Sequence, residues 1–437
     1  MQNSIWQDGV SLPSFPTLSK DIKTDVLIIG GGMAGLLCAR LLEKEGIPYV
    51  LVEGGRIASG VTKNTTAKIT FQHGLIYQKI LKNQGREKAK MYLEAGREAL
   101  AEFKNLCADI PCDFAEKDAF TYSLKNRKQI EEEVQAVQAL GFPASFSETP
   151  TLPIQTLGAI RFPSQAQFHP LKCIAGFSKS LHIYEHTFIT GLDKNTAFFH
   201  SGKIRADKII VTTHFPFLNT HGSYFLKLYQ HRSYVAAFEN APDVQGMFVD
   251  ESDTGLSFRN QSGLLLVGCG GHRTGKKSSA WREAEALSKS SFPKAALKYQ
   301  WATQDCMSLD GIPYIGKYSK NTPDLYVATG FNKWGMTSSM VAAMILTDMI
   351  IGKKNECEEI YNPSRSMLHP QLAVNIFESA KGLLTPTTPR CPHMGCALKY
   401  NKQEHSWDCP CHGSRFEENG KLINNPATDD IKKLANE

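Results

Sequence analysis

The stretch that most constrains the fold is residues 24–55, TDVLIIGGGMAGLLCARLLEKEGIPYVLVEGG. An apolar run, a glycine-rich turn, an amphipathic segment and a second apolar run follow one another, which predicts a strand, a turn, a helix and a second strand. Gly30, Gly32 and Gly35 form G-x-G-x-x-G between the first strand and the helix. In this βαβ context the motif favours a dinucleotide-binding site over an unrelated structural glycine turn.

Each glycine has a physical role in such a site. Gly30 permits the tight turn, Gly32 lets the backbone approach a pyrophosphate, and Gly35 lets the helix pack closely on the strand, while the helix N-terminus faces the negative charge. Glu53 ends the second strand, where we expect it to accept hydrogen bonds from a ribose hydroxyl. The predicted contacts in this region are Gly30, Gly32, Met33, Ala34, Gly35, Glu53 and Gly54.

Length and charge exclude several other classes of protein. The 437 residues exceed what one core usually supports, so we expect two or three domains. The net charge of +6 includes no block of like charge, which argues against nucleic-acid binding. The N-terminal stretch lacks the features of a secretory signal, and no apolar run approaches the roughly 18 to 20 residues of a membrane span. We therefore expect a cytoplasmic protein, whose seven dispersed cysteines are buried small hydrophobes.

Further elements follow from short apolar runs. Residues 207–216, 263–271 and 324–331 are typical of strands in an α/β sheet, and residues 337–354 predict a buried helix closed by Gly352. The polar, proline-dotted residues 361–390 predict a linker with one short helical piece inside it.

The C-terminal region concentrates potential metal ligands. Cys391-x-His393 is followed, after fifteen residues, by Cys409-x-x-His412. Two thiolates and two imidazoles could bind zinc. The order C-x-H then C-x-x-H instead favours a Rieske [2Fe-2S] centre, in which two cysteines hold one iron and two histidines the other.

Over roughly residues 20–365 the chain resembles the D-amino-acid oxidase and glycine/sarcosine oxidase family of FAD-dependent oxidoreductases. The matching stretches are DVLIIGGGMAGL, VEGGRIASG, Trp301–Gly316 in the pattern W-x-x-Q-D-x-x-x-x-D-G-x-P-Y-I-G, and VATGFNKWGMTSSMVAA. Within that family it is similar to bacterial proteins resembling gamma-glutamylputrescine oxidase, through HFPF and SFRNQSGLLLVGCGGHRTG.

This resemblance implies a domain organisation. We expect an α/β FAD-binding Rossmann-type domain (segments about 20–85, 160–225 and 300–355) interleaved with an α+β substrate domain (about 86–160 and 226–300), together residues 1–365. A linker at 366–387 and a small β-rich Rieske domain at 388–437 follow.

The same resemblance implies further FAD contacts. Near the diphosphate it places Arg56, Gly60 and Thr62, and near adenine it places Ile189. Near the flavin ring and ribityl chain it places Gly330, Phe331, Gly335, Met336 and Thr337.

Three residues are candidates for catalysis. His73 lies in the segment that the family runs past the flavin, where it could attach FAD covalently or simply be a packed histidine. His272 could meet the substrate or cap a loop, and Lys68 could lie near the flavin or on the surface. Arg232, Tyr234 and Arg259 are candidate binders of a carboxylate or other polar group, with ordinary surface arginines as the alternative.

A second resemblance, to Rieske proteins, covers roughly residues 388–430 through CPHMGC, CPCHGSRF and NPA. It implies that Cys391 and Cys409 bind the inner iron and that His393 and His412 bind the outer one. The strands that usually precede the first ligand loop are missing from the sequence.

Four further residues carry expectations from this second resemblance. It implies a disulfide between Cys396 and Cys411. Ser414 matches a hydroxyl donor to the cluster, whereas Phe416 replaces a frequent tyrosine donor, so we expect a potential below the top of the Rieske range.

Together the two resemblances imply an enzyme that converts two-electron into one-electron transfer. We expect hydride transfer from an amine or amino-acid-like substrate to FAD, followed by single-electron transfer through the [2Fe-2S] cluster to an external acceptor, with no nucleic acid or membrane span involved. The alternatives are a flavin and cluster relay serving a separate enzyme, and a reductase that runs the same chain of electron transfers in reverse.

Overall fold

The computed structural model describes residues 3–148, 151–252, 254–386 and 389–432. Its strands, in chain order, are β1 (Ile22–Ile29), β2 (Tyr49–Val52), β3 (Lys68–Ile69), β4 (Ala115–Tyr122), β5 (Ser145–Ser147), β6 (Ala159–Gln167), β7 (Ile183–Tyr184), β8 (Ile189–Asp193), β9 (Thr196–Phe199), β10 (Gly202–Val211), β11 (Leu228–Glu239), β12 (Met247–Asp250), β13 (Ser257–Gln261), β14 (Leu264–Arg273), β15 (Ala296–Ser308), β16 (Tyr314–Lys317), β17 (Leu325–Thr329), β18 (Lys399–Asn401), β19 (Ser406–Asp408), β20 (Arg415–Glu417) and β21 (Leu422–Asn424). Its helices are α1 (Met33–Lys44), α2 (Ile76–Gln84), α3 (Arg86–Cys107), α4 (Arg127–Ala139), α5 (Pro170–Phe177), α6 (Tyr224–Lys227), α7 (Arg282–Ser291), α8 (Gly335–Ile351), α9 (Glu358–Tyr361) and α10 (Pro370–Leu384).

The first sheet has a parallel centre in the order β17-β10-β1-β2-β7, with β16 antiparallel at one edge and the β8–β9 hairpin attached through β9 to β10. Val26, Leu27, Ile28 and Ile29 of β1 are all buried, as expected for a strand covered on both faces. The chain moves from β1 to β2 on one side and later places β10 on the other. The carboxyl end of β1 is therefore a topological switch point, where α/β sheets bind ligands.

The second sheet is mostly antiparallel and has the order β15-β11-β14-β13-β12-β4-β6-β3, with β5 paired to β6. Its longest pair, β11 with β15, runs from Leu228 opposite Ser308 to Glu239 opposite Ala296, with a register shift between Ala237 and Phe238. This pair supplies one wall of the cavity described below.

Most predicted elements are confirmed. The first strand–helix–strand unit is β1, α1 and β2, and the predicted helix at 337–354 is α8, which ends at Gly352 in a left-handed conformation (φ +76°). The strand predicted within residues 263–271 forms as β14, but its expected place in the α/β sheet is wrong. A turn at Gly263 (φ +78°) makes β13 and β14 a hairpin of the second sheet.

The dispersed cysteines are confirmed as buried and free. Three of them come together in space, because Cys107, Cys112 and Cys173 have sulfur atoms within 4.8 Å of one another. Their spacing in the sequence does not predict this group.

The C-terminal residues form a third, four-stranded antiparallel sheet in the order β18-β19-β20-β21. The predicted linker contains α10, and the predicted boundary between residues 387 and 388 lies outside the described residues. The amide of Asn375 in α10 donates to the carbonyl of Leu226 at 3.0 Å and accepts from Arg273 at 2.9 Å. A Cβ on Gly382 would lie 2.4 Å from the sulfur of Cys411, so α10 packs tightly on both neighbours.

Within the described ranges, none of the helices combines the length and the apolar character needed to cross a membrane.

Candidate active site and metal centre

A cavity of about 920 Å³ extends from the carboxyl end of β1 to the wall formed by β11 and β15. The glycine turn, the start of α8 and residues of the C-terminal sheet also line it. Its volume lies within the range of small-molecule and cofactor sites.

The glycine turn leaves backbone exposed to this cavity. Gly30 has φ +113°, and a Cβ there would lie 2.8 Å from the carbonyl oxygen of Thr212. A Cβ on Gly35 would lie 1.9 Å from the carbonyl oxygen of Gly30, so this glycine is required for contact between helix and strand. At Gly32, which lines the cavity, the nearest atom to a Cβ is Oγ1 of Thr62 at 3.5 Å. Gly32 therefore leaves room for a ligand to approach the backbone.

Two side chains fix this cradle. The Glu53 carboxylate accepts hydrogen bonds from the amides of Gly31 at 2.7 Å and Gly55 at 2.8 Å, and burial raises its pKa. Oγ1 of Thr62 accepts from the amide of Met33 at 3.1 Å, at the first residue of α1.

The start of α8 forms another part of the cavity. Thr337 bonds to the backbone of Thr70, because its hydroxyl accepts from the Thr70 amide at 3.0 Å and donates to the Thr70 carbonyl at 2.7 Å. Lys68 lines the cavity, and burial, together with the charge of Arg259, lowers its pKa to about 7. His73 stacks on Trp334 at 4.9 Å.

The two ring nitrogens of His73 are engaged. Nδ1 lies 2.5 Å from the Tyr92 hydroxyl and Nε2 lies 2.8 Å from the Thr70 carbonyl. Burial lowers the pKa of His73 to about 3. The histidine is thus held neutral in a packed position, and its predicted catalytic role stays a prediction.

The candidate carboxylate binders are occupied by protein groups. Nε of Arg232 donates to Glu404 at 2.7 Å, a second nitrogen of Arg232 also bonds to this carboxylate, and the Tyr234 hydroxyl donates to it at 3.0 Å. Arg259 donates to the carbonyls of Thr66 and Ala67, each at 2.7 Å.

The ring of His272 lies parallel to that of Tyr234, with 5.9 Å between the ring centroids, and its Nδ1 lies 2.9 Å from the Gly270 carbonyl. Burial lowers the pKa of His272. Its role in catalysis stays a prediction.

The sequence reasoning missed a group of polar residues that we call the polar wall, formed by His231 and Ser233 of β11 and Thr303 and Asp305 of β15. His231 pairs in register with Asp305, and Ser233 with Thr303. Residues directly opposite in antiparallel strands project to the same face, so these four side chains are neighbours. Ser233, Thr303 and Asp305 line the cavity. The alternation of Thr303 and Asp305 along one strand was the available signal in the sequence.

The metal centre is built from two loops of the C-terminal region. Cys391 and Cys409 are buried free thiols that hydrogen-bond to each other. The amides of His393 and Met394 bond to the Cys391 sulfur. Those of Cys411 and His412 bond to the Cys409 sulfur.

The two histidines have nitrogen atoms that nothing else in the described chain uses. Nδ1 of His393 and both ring nitrogens of His412 are buried without a hydrogen-bond partner, and the ring centroids lie 5.0 Å apart. Buried polar atoms are normally satisfied, so these nitrogens and the paired thiols fit a metal cluster.

The loops are braced close to the cluster ligands. Cys396 and Cys411 form a disulfide. The Ser414 side chain bonds to the Cys391 thiol, and Phe416 is buried beside these cysteines.

The metal centre adjoins the cavity. The ring of Phe215 lies 6.3 Å from that of His393 and 6.2 Å from that of His412. The Asn425 amide donates to the carbonyl of Phe215 at 2.8 Å and also to that of Thr213. Because Thr213 and Asn425 both line the cavity, the loop that places Phe215 against the two histidines also borders the cavity.

Comparison with known families identifies the larger part of the chain. Residues 25–349 match the family described as FAD dependent oxidoreductase. The chain belongs to the FAD-dependent oxidoreductase family. Residues 351–435 match the Rieske [2Fe-2S] domain, so this family member carries a C-terminal Rieske domain. The predicted FAD and [2Fe-2S] cofactors are thereby confirmed, and zinc is not the metal that this domain implies.

One relative is similar along almost the whole chain. The Rieske 2Fe-2S iron-sulfur protein YhfW of Bacillus subtilis is 33% identical, over 98% of this chain and 97% of its own length. The oxidoreductase OrdL of Haemophilus influenzae is 24% identical, over 77% of this chain and 85% of its own length.

Solved structures share the fold of the FAD-dependent oxidoreductase part. Glycine oxidase from Geobacillus kaustophilus has a TM-score of 0.66 at 16% identity, covering 79% of this chain and 99% of its own. L-proline dehydrogenase from P. horikoshii has a TM-score of 0.65 at 15% identity, covering 80% of this chain and 98% of its own. The predicted fold class is confirmed.

The cavity brings together most of the residues predicted to bind FAD. Those that line it are Gly30, Gly32, Met33, Ala34, Glu53, Gly54, Gly60, Thr62, Ile189, Gly330, Phe331, Gly335 and Met336. The exposed backbone at Gly32 and the start of α1 fit a pyrophosphate.

Arg56 is directed elsewhere, because its guanidinium donates to the Pro13 carbonyl and the Ser14 hydroxyl, each at 3.0 Å, and lies 3.5 Å from Glu185. Sequence reasoning did not single out Lys63, Thr212 or His214, which also line the cavity.

Proposed function

We propose that the protein is a dehydrogenase that oxidises an amine or amino-acid-like small molecule and delivers the electrons singly to an external acceptor at its Rieske domain. Bound in the two sites, FAD takes up two electrons as a hydride and the [2Fe-2S] centre carries one electron at a time. The other side chains position these sites and the substrate.

The observation that carries the proposal is the closeness of the two cofactor sites. The imidazoles of His393 and His412 contact Phe215, which follows directly on the cavity-lining His214. Such an arrangement suits electron exchange between neighbouring cofactors inside one chain.

A hydrogen-bond network joins the second sheet to the Rieske domain near the two sites. The Gln230 amide donates to the carbonyls of His412 at 3.0 Å and Asn425 at 2.9 Å, and the Gln304 amide donates to the carbonyl of Gly413 at 2.8 Å. All three bonding partners on the Rieske side belong to the ligand loop or to the segment that lines the cavity, so these bonds join the second sheet directly to the Rieske loops.

Two further observations support an amine-type substrate. Glycine oxidase and L-proline dehydrogenase, which share the fold, are named for amino-acid substrates. In the cavity, Lys68 has a pKa near 7 for the physical reasons given above. We propose that its amino group can hold or release a proton beside the reacting molecule near neutral pH.

We also propose a cytoplasmic location, because the seven cysteines outside the C-terminal metal centre are buried as free thiols, which suits a reducing compartment.

The test uses the holoprotein without oxygen. A panel of primary, secondary and tertiary amines and of amino acids is mixed with it, and flavin absorbance and the electron paramagnetic resonance signal of the reduced cluster are followed. We expect at least one compound to bleach the flavin and then to produce the cluster signal. If no compound bleaches the flavin although a chemically reduced flavin still reduces the cluster, the protein is an electron-transfer component rather than a dehydrogenase.

A further inference from the structure

The polar wall contains groups that the folded chain leaves unsatisfied. Oγ1 of Thr303 and Nδ1 of His231 are buried and have no hydrogen-bond partner, and both residues are more than nine-tenths buried. Within the described residues, no hydrogen bond or ion pair reaches the carboxylate of Asp305. Leaving buried polar groups unpaired is costly, and Thr303 and Asp305 line the cavity, where a ligand can supply their missing partners.

The charge of the polar wall indicates which kind of ligand it can bind. Its acidic residue is Asp305, whose side chain belongs to the lining of the cavity. Burial raises the pKa of Asp305, and the charges of Lys333 and Arg232 lower it by a smaller amount, so that the resulting pKa is about 6. Asp305 is therefore largely ionised at neutral pH and favours a positively charged partner.

The arginine of the same region is not available for an anionic substrate. Arg232 is 3% exposed and its guanidinium is engaged by the carboxylate of Glu404, which is 4% exposed. A substrate carboxylate would have to displace this buried partner. Lys333, another cation that lines the cavity, is also not a free group.

We propose that the polar wall is an ammonium-binding site, in which Asp305 holds the charged nitrogen of the substrate while Oγ1 of Thr303 accepts one of its remaining N–H bonds. The substrate class is then a cationic alkylamine that needs no carboxylate, rather than an α-amino acid. This inference rests on the proposed function, because it specifies the substrate class of the proposed dehydrogenase.

Two inert probes separate binding from turnover. tert-Butylamine and 2-aminoisobutyrate both lack a hydrogen on the carbon that bears the nitrogen, so neither can lose a hydride there. They differ only in that one methyl group is replaced by a carboxylate. Binding to the oxidised holoprotein is measured by isothermal titration calorimetry and by the shift in its thermal unfolding midpoint.

We expect the parent protein to bind tert-butylamine at least about tenfold more tightly than 2-aminoisobutyrate. Asp305→Asn should weaken the binding of tert-butylamine at least about tenfold, because a charge-assisted hydrogen bond is lost. Asp305→Glu, which keeps the charge, should retain part of the affinity. The FAD content of both variants shows that they are folded.

Other results overturn the inference. These are tighter binding of 2-aminoisobutyrate by the parent, unchanged binding of tert-butylamine by Asp305→Asn, or no binding of either probe. The proposed function fails separately, when no amine or amino acid bleaches the flavin in the anaerobic panel, so the two failures are distinguishable.

A second variant tests the part played by the occupied arginine. Glu404→Gln removes the carboxylate that neutralises Arg232 and should raise the affinity for 2-aminoisobutyrate relative to tert-butylamine. An unchanged ratio would contradict the role of Glu404 in excluding a substrate carboxylate.

Discussion

Arg232 of the second sheet and Glu404 of the turn between β18 and β19 form a buried ion pair that joins the FAD-dependent oxidoreductase part to the Rieske domain. Nε of Arg232 donates to the carboxylate at 2.7 Å. Arg415 of the Rieske domain also lies 3.1 Å from this carboxylate, and the Tyr234 hydroxyl donates to it at 3.0 Å. One glutamate thus pairs with one buried cation from each side of the contact between the domains.

Removing this carboxylate should destabilise the protein strongly. Glu404→Ala leaves Arg232 buried without its partner, a change that typically costs about 3–5 kcal/mol. The measurement is the free energy of unfolding, from urea denaturation of the holoprotein. As a matched control, Glu148→Ala breaks the exposed pair between Arg127 and Glu148, which should cost less than about 1 kcal/mol. Equal losses in the two variants would show that the buried pair has no special role.

The same pair predicts a dependence of stability on pH. Burial alone would raise the pKa of Glu404, but the charge and hydrogen bonds of Arg232 and the charge of Arg415 lower it to about 2 from its ordinary value of 4.5. A carboxyl with a depressed pKa contributes stability that is complete above its unfolded pKa and is lost as the pH falls toward the folded one. The contribution should therefore disappear between about pH 4.5 and pH 2, and it amounts to about 3 kcal/mol.

The comparison for this pH dependence is Glu404→Gln, which cannot titrate. The difference in the free energy of unfolding between parent and variant is measured in urea at several pH values. It should narrow as the pH is lowered through this range. A difference that stays constant with pH would rule out Glu404 as the titrating group.

Gly32→Val should yield folded protein without FAD. A Cβ at Gly32 would have no atom nearer than 3.5 Å, so the fold tolerates the change, but the larger side chain enters the space where backbone approaches the pyrophosphate. FAD content is measured by absorbance after gel filtration. Gly191→Val is the control, since a Cβ at Gly191 meets nothing within 4 Å and Gly191 lies outside the cavity. Full FAD retention in Gly32→Val would contradict the placement of the cofactor.

His412→Ala should remove the cluster and spare the flavin. The two ring nitrogens of His412 have no other partner in the described chain, and the glycine turn belongs to a distant segment. Iron and sulfide content should fall steeply while FAD content is kept. The control is His405→Ala, because the side chain of His405 is 71% exposed and bonds only to surface groups such as Glu418. An intact cluster in His412→Ala would remove this residue from the ligand set.

Kinetics of the same variant test the route of the electrons. Flavin reduction by the true substrate, measured in one anaerobic turnover, should stay close to the parent rate, while steady turnover with a one-electron acceptor should fall steeply. Reoxidation as fast as that of the parent would make the cluster a structural element.

Both cofactors and the fold class were predictable because their signals are local in the sequence. G-x-G-x-x-G follows β1 directly, and the positive φ of Gly30 and the contact of Gly35 with Gly30 depend on neighbours within a few residues. Cys391-x-His393 and Cys409-x-x-His412 likewise each lie in one short loop. A fixed short spacing of this kind predicts the relative positions of the side chains, because the backbone limits where neighbouring side chains can point.

The contents of the substrate region could not be predicted in the same way. Arg232 was a candidate for binding a carboxylate, but its partner Glu404 lies 172 residues further along the chain. His231 meets Asp305 only because β11 and β15 pair in one register among many possible ones. Sequence by itself determined which cofactors this protein holds, and tertiary structure alone decided which charges remain free in its cavity, since strand register and domain packing bring together side chains that no local spacing relates.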